Sequence, residues 1–176
     1  MAAVEELVRT GFSGLSMEAV ADRAKVNKTT VYRRWPTRGA LVRAAILAST
    51  RRVFEHTDTG HLRSDLLELL RGVRRSLDSA LGRGVTVALM AEDPRIRQLA
   101  KSVRKEGANA SHEVLKRAVA RGELPASVNR QLILDLLFGP LEQKLVIEGE
   151  SVDDAWCETL VDFVLAGAQV VTKRSR

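Results

Sequence analysis

The sequence predicts an all-α protein: a small amino-terminal head containing a helix-turn-helix, followed by a larger helical body. Three observations predict it. Alanine, leucine, valine and arginine dominate, while the 12 glycines and 4 prolines are scattered as punctuation and not clustered. Apolar residues recur at intervals of three and four, and no run alternates as a half-buried strand would. Two short helical stretches also meet at a tight break within residues 16–35, the second carrying small hydroxyls and bases on its outer side.

Residues 2–9 form the first helix, with Val4, Leu7 and Val8 as its apolar side and Gly11 as its stop. In 16–24, Ser16 is placed to cap a helix whose Met17, Val20, Ala21 and Ala24 share one face. The chain breaks at Lys25-Val26, and Asn27 caps the next helix. There Val31 and Trp35, four apart, turn inward together. Lys28, Thr29, Thr30, Tyr32, Arg33 and Arg34 are left outside, and Pro36 ends the element. A short helix of this composition suits the major groove. Threonine side chains allow close approach, and their methyls and hydroxyls match thymine methyls and base edges. From Thr37, a plausible cap, a longer helix carries Leu41, Val42, Ala45, Ile46 and Val53 on one face, with Arg38 near its start in a position that suits phosphate.

The body continues with a helix over 62–81, built on Leu66, Leu69, Leu70, Val73 and Leu77, with Arg71, Arg74 and Arg75 outside. Gly82 and Gly84 are expected to break it before a short apolar helix over 85–90. Pro94 opens a long helix to residue 121, closed by Gly122. The last two helices, 131–147 and 156–171, are apolar over more than one side. That excess suggests a subunit interface formed as a four-helix bundle with a second copy, through Leu137, Leu141, Leu145, Leu160, Val164 and Ala168.

Charge is distributed unevenly. Residues 1–56 carry ten Lys/Arg against five Asp/Glu, a net +5; the other 120 carry 18 against 17. The excess sits with the helix-turn-helix, where a positive field attracts a polyanion. No stretch is apolar and long enough to span a membrane. The only cysteine, Cys157, reads as a core thiol and fits a reducing cytoplasm. No catalytic constellation emerges: His56, His61 and His112 match no triad or zinc spacing, and no glycine-rich phosphate loop occurs. The reading therefore expects no metal and no cofactor. The alternatives are a helical interaction or scaffold domain without operator binding, and, further off, a small helical enzyme.

Residues 11–41 resemble the TetR family of bacterial transcriptional repressors. The resemblance is carried by Gly11-Phe12, by Leu15-Ser16-Met17-Glu18-Ala19-Val20-Ala21, by Val26-Asn27-Lys28-Thr29-Thr30-Val31-Tyr32-Arg33-Arg34-Trp35-Pro36, and by Arg38 and Ala40-Leu41. The Arg121-Gly122-Glu123-Leu124 turn and the run Leu136-Leu137-Phe138-Gly139-Pro140-Leu141 are similar to one subgroup of it. The resemblance implies a cytoplasmic homodimer that binds an inverted-repeat operator in double-stranded DNA and answers to a small-molecule effector. It implies that Lys28, Thr29 and Thr30 lie at the major groove, with Arg33 on the same outer face. It also implies that Ser16, Tyr32 and Arg38 reach phosphate, Arg38 standing where a lysine is usual. Residues 1–36 are then the DNA-binding head, 37–56 a connecting helix, 57–172 the effector-binding and dimerisation domain, and 173–176 a polar tail. An apolar effector pocket is expected from Val73, Leu77, Val85, Leu89, Met90, Val103 and Leu137, with Glu142 or Gln143 as a polar partner. Glu142-Gln143 stands where related chains often carry aromatics.

Overall fold

The computed structural model describes residues 2–54, 58–88 and 92–174, and every described element is helical. In order these are α1 (Ala2–Gly14), α2 (Met17–Ala24), α3 (Lys28–Arg34), α4 (Arg38–Phe54), α5 (Leu62–Asp78), α6 (Ala80–Ala88), α7 (Pro94–Ala120), α8 (Arg130–Glu142), a π-helical turn (Gln143–Glu148) and α9 (Asp154–Arg174). Among the described residues no helix is long and apolar enough to cross a membrane.

The chain divides into two compact units. One comprises Met1–Arg51 with Ser79–Glu106, the other Arg52–Asp78 with Gly107–Arg176. Packing thus partitions the chain differently from a sequential division at residues 36 and 56. Residues 79–106 cluster with the head because Val103, Leu81, Val85 and Leu99 share its core with Leu15, Val20, Val31, Leu41, Val42 and Ile46. The second unit has its own core, where Leu66, Leu69 and Leu70 of α5 meet Leu115 of α7, Leu134, Leu137 and Leu141 of α8, and Cys157 and Val161 of α9.

Several boundaries differ from expectation for identifiable reasons. Helix α1 does not stop at Gly11 but breaks there and resumes, since Gly11 takes φ 68°, ψ 177°, a conformation open to glycine and strained for other residues. The break expected at Gly82 and Gly84 falls at Ser79, whose hydroxyl accepts the Gly82 N–H at 3.0 Å and so caps α6; both glycines lie inside that helix. Near the end of α8, Pro140 lacks an N–H for the ladder, and the backbone passes into the π turn, which Gly149 closes at φ 71°.

Ion pairs tie the second unit together. Arg71 and Arg74, expected on an outer face, instead clasp Asp154 at the start of α9, at 3.0 and 2.8 Å. Asp65 is fully buried at the start of α5. It accepts the Thr59 N–H at 2.6 Å and hydroxyl at 2.7 Å, and the Arg121 guanidinium at 2.8 Å. Burial alone would raise the Asp65 pKa, but the bonds from Thr59 and Arg121 together outweigh it and hold the carboxyl below its ordinary value.

Candidate nucleic-acid interface

The turn between α2 and α3 is set by two backbone hydrogen bonds, Lys25 N–H to Asp22 O and Val26 N–H to Ala21 O, both 3.0 Å. This is a Schellman closure, and it places Lys25 in the left-handed region at φ 55°. Ser16 begins α2 as expected, its Oγ accepting the Ala19 N–H at 3.2 Å. Asn27 begins α3, its Oδ1 accepting the Thr29 N–H at 3.0 Å and the Thr29 hydroxyl at 2.9 Å. Val31 is buried against Met17, Val20 and Ala21, which fixes the roll of α3. With Val31 inward, Lys28, Thr29, Thr30, Tyr32, Arg33 and Arg34 are all exposed, and Trp35 is half-buried beneath them. Tyr32 stands 42% exposed.

Two of the three residues expected at phosphate, Ser16 and Tyr32, converge on one acid that the sequence did not single out. Tyr32 donates its hydroxyl to Glu18 at 2.8 Å, and Ser16 donates to the other Glu18 oxygen at 3.0 Å. The Tyr32 bond, then those from the Glu18 backbone and Ser16, hold the Glu18 carboxyl below the usual carboxylate range; the same bond pushes the Tyr32 hydroxyl up. The third residue, Arg38, opens α4 behind the Thr37 cap, whose Oγ accepts the Ala40 N–H at 3.1 Å. Its guanidinium lies over the Phe12 ring, 4.9 Å from the centroid. Glu6 was also not foreseen as a site residue. It is almost fully buried within α1, bridged to Arg9 at 2.7 Å and to Arg23 of α2 at 3.3 Å. An acid at a helical position reads as surface; only the approach of α2 shows that it braces the head.

The residues expected to line an effector pocket are divided between the two units. Leu77 and Leu137 are buried in the second unit's core, with Val73 packed beside them, whereas Val85 and Val103 belong to the first unit. Gln143 is exposed and Glu142 half-buried, and Leu89 and Met90 lie outside the described residues. Of the expected interface residues, Leu137, Leu141, Leu145 and Val164 are buried within their own unit, because the face richest in leucine is the one that α5 covers. Leu160 and Ala168 are half-buried. Among the residues whose burial is described, the exposed large apolar side chains of these helices are instead Leu132 and Leu136 on α8, Ile147 on the π turn and Phe163 on α9, the last 73% exposed. Of the three histidines, His56 lies outside the described residues, and among those described no group of side chains is arranged to hold a metal ion.

A capped two-helix unit that buries Val31 and presents threonines and bases outward defines a helix-turn-helix DNA-binding protein. The chain belongs to the TetR family of bacterial transcriptional regulators. Residues 1–45 match the model of the tetR family of bacterial regulatory proteins, and residues 56–164 match the tetracyclin repressor-like carboxy-terminal domain. It is 34% identical over 167 residues to a DNA-binding transcriptional repressor TetR of Mycobacteroides abscessus, covering 93% of this chain and 87% of that one. It is 26% identical over 180 residues to the HTH-type transcriptional regulator YdeS of Bacillus subtilis, covering 97% and 88%. Among solved structures, the TetR family transcription regulator SCO0332 superposes with a TM-score of 0.76 at 29% identity, covering 94% of this chain and 93% of that one.

Proposed function

We propose that this regulator is a homodimeric repressor that grips an inverted-repeat operator and releases it when a small apolar or amphipathic molecule binds. The observation that carries the DNA reading is the outward face of α3, where Lys28, Thr29, Thr30 and Arg33 stand exposed on a helix locked by Asn27 and Val31. In this reading Thr29 and Thr30 meet base edges, and Ser16, Tyr32 and Arg38 contact the sugar-phosphate backbone. Dimerisation uses the exposed stripes of α8 and α9. Leu132, Leu136 and Gly139 follow one another at four and three on α8, and Thr159, Phe163 and Gly167 at four on α9, a mixture of bulk and small residues that suits helix packing against a second copy. Two heads joined this way meet successive major grooves about 34–36 Å apart, or a multiple of it. The protein works in the cytoplasm, where its DNA is, and the reading assigns it no catalytic step.

Selection of bound fragments from genomic and random DNA tests the reading. The expected product is a symmetric sequence with two half-sites. Recovery of no symmetric sequence, at low salt and without added effector, would remove the operator-binding reading.

A further inference from the structure

The first unit contains a cavity of about 510 Å³ between α1, α4, α6 and the start of α7. Phe12 of α1, Val42 and Ile46 of α4, and Leu81, Gly84 and Val85 of α6 line it. Among the described residues, none that lines it carries a charged or hydrogen-bonding side chain. Its volume lies within the range of small-molecule sites, and nothing in its lining would offset the desolvation of a charge. Two lining glycines, Gly11 and Gly84, leave open space where side chains would otherwise project, since a Cβ on either meets nothing within 4 Å.

We propose that this cavity is a regulatory site for an uncharged apolar molecule, and that Phe12 relays its occupancy to the DNA surface. Of the residues expected to line a pocket, the cavity takes Val85, and all its lining residues belong to the unit that holds the helix-turn-helix. The Phe12 ring both lines the cavity and carries the Arg38 guanidinium. Phe12 follows directly on the α1 break at Gly11, a joint whose backbone is already outside the helical range. A ligand that shifts the ring therefore shifts Arg38, the side chain assigned to phosphate. Regulation follows only if the ligand fits one position of Phe12 better than the other. The inference rests on the operator-binding reading above.

The probe is N-phenyl-1-naphthylamine, a neutral fluorophore small enough for the cavity. Its binding is followed by fluorescence in the wild type, in Gly84→Leu and Ala80→Phe, which fill the space from α6, and in Phe12→Leu. Circular dichroism confirms that each variant is folded. The expected result is binding to the wild type, weakened at least about ten-fold in a filled variant that remains folded. Saturating probe should lower wild-type operator affinity by about five-fold or more, and by linkage operator DNA should weaken probe binding by the same factor. Phe12→Leu, read at a probe concentration that saturates that variant, should lose this response. Equal probe affinity in the wild type and both filled variants would overturn the site, and an undiminished operator response in Phe12→Leu would overturn the relay. Absence of operator binding by the wild type without probe would instead count against the regulator reading, and loss of probe binding in the filled variants would still support the site.

Discussion

Replacing Asp65 by asparagine isolates one buried charge in the second unit. Oδ1 of Asp65 accepts both Thr59 donors, and an asparagine oxygen can keep those bonds. Oδ2 accepts the Arg121 guanidinium, and the asparagine amide would present N–H to N–H there. One charge-assisted bond of roughly 1.5–3 kcal/mol is lost, and two others fall to neutral strength. Two effects reduce the cost: the carboxylate no longer has to be desolvated, and Arg121 keeps Glu123 at 2.6 Å and Asp58 at 3.4 Å. The net loss is about 2–3 kcal/mol, or a melting temperature lower by about 4–12 °C for a chain of this size. The pH dependence gives a second readout. Because the native Asp65 pKa is lowered, its contribution is fully present above the unfolded value and disappears as pH falls through the native one. The gap between wild type and Asp65→Asn should therefore narrow as pH falls from about 7 to about 3. Thermal and urea unfolding across that range measure it. A variant within about 0.5 kcal/mol of wild type near neutral pH, or a gap that does not change with pH, would refute the account.

Other expectations concern the head and the interface. Arg38→Ala should weaken all DNA sequences alike and lower the salt slope by about one, while Thr29→Ala or Thr30→Ala should change operator preference by about 1–3 kcal/mol; competition binding at several salt concentrations separates these, and equal losses on every operator would contradict base reading. Glu18→Gln removes a negative charge beside Tyr32 and Ser16, so affinity at low salt should rise about three- to ten-fold on every sequence, and unchanged or weaker binding would show that Glu18 orders those hydroxyls instead. Lys25→Gly relieves a left-handed lysine and should stabilise the head by about 0.5–1 kcal/mol after the added freedom of the unfolded chain; a lower melting temperature would count against the turn geometry. Phe163→Arg or Leu136→Arg should give folded monomers in sedimentation velocity, since both side chains are exposed, and a dimer that survives both would place the interface elsewhere.

The head was legible because its signals are local. Ser16 and Asn27 cap by bonding two or three residues ahead, Val31 and Trp35 are one helical turn apart, and Pro36 constrains only its neighbours, so chain order alone fixes the two-helix unit and its outward face. The apolar excess of α8 and α9 was legible too, but not its division between core and surface. Leu137 and Leu141 became core, and Leu136 and Phe163 surface, only through the packing of α5, and periodicity cannot tell which of two apolar faces a neighbour will cover. Tertiary structure alone brought Glu18 to Tyr32, Phe12 to Arg38 and Asp65 to Arg121, which are 14, 26 and 56 residues apart. It also grouped residues 79–106 with the head and thereby formed an open-sided cavity there. Caps and faces follow from the repeat of a single helix, whereas ion pairs, cavities and interfaces depend on how separate helices pack.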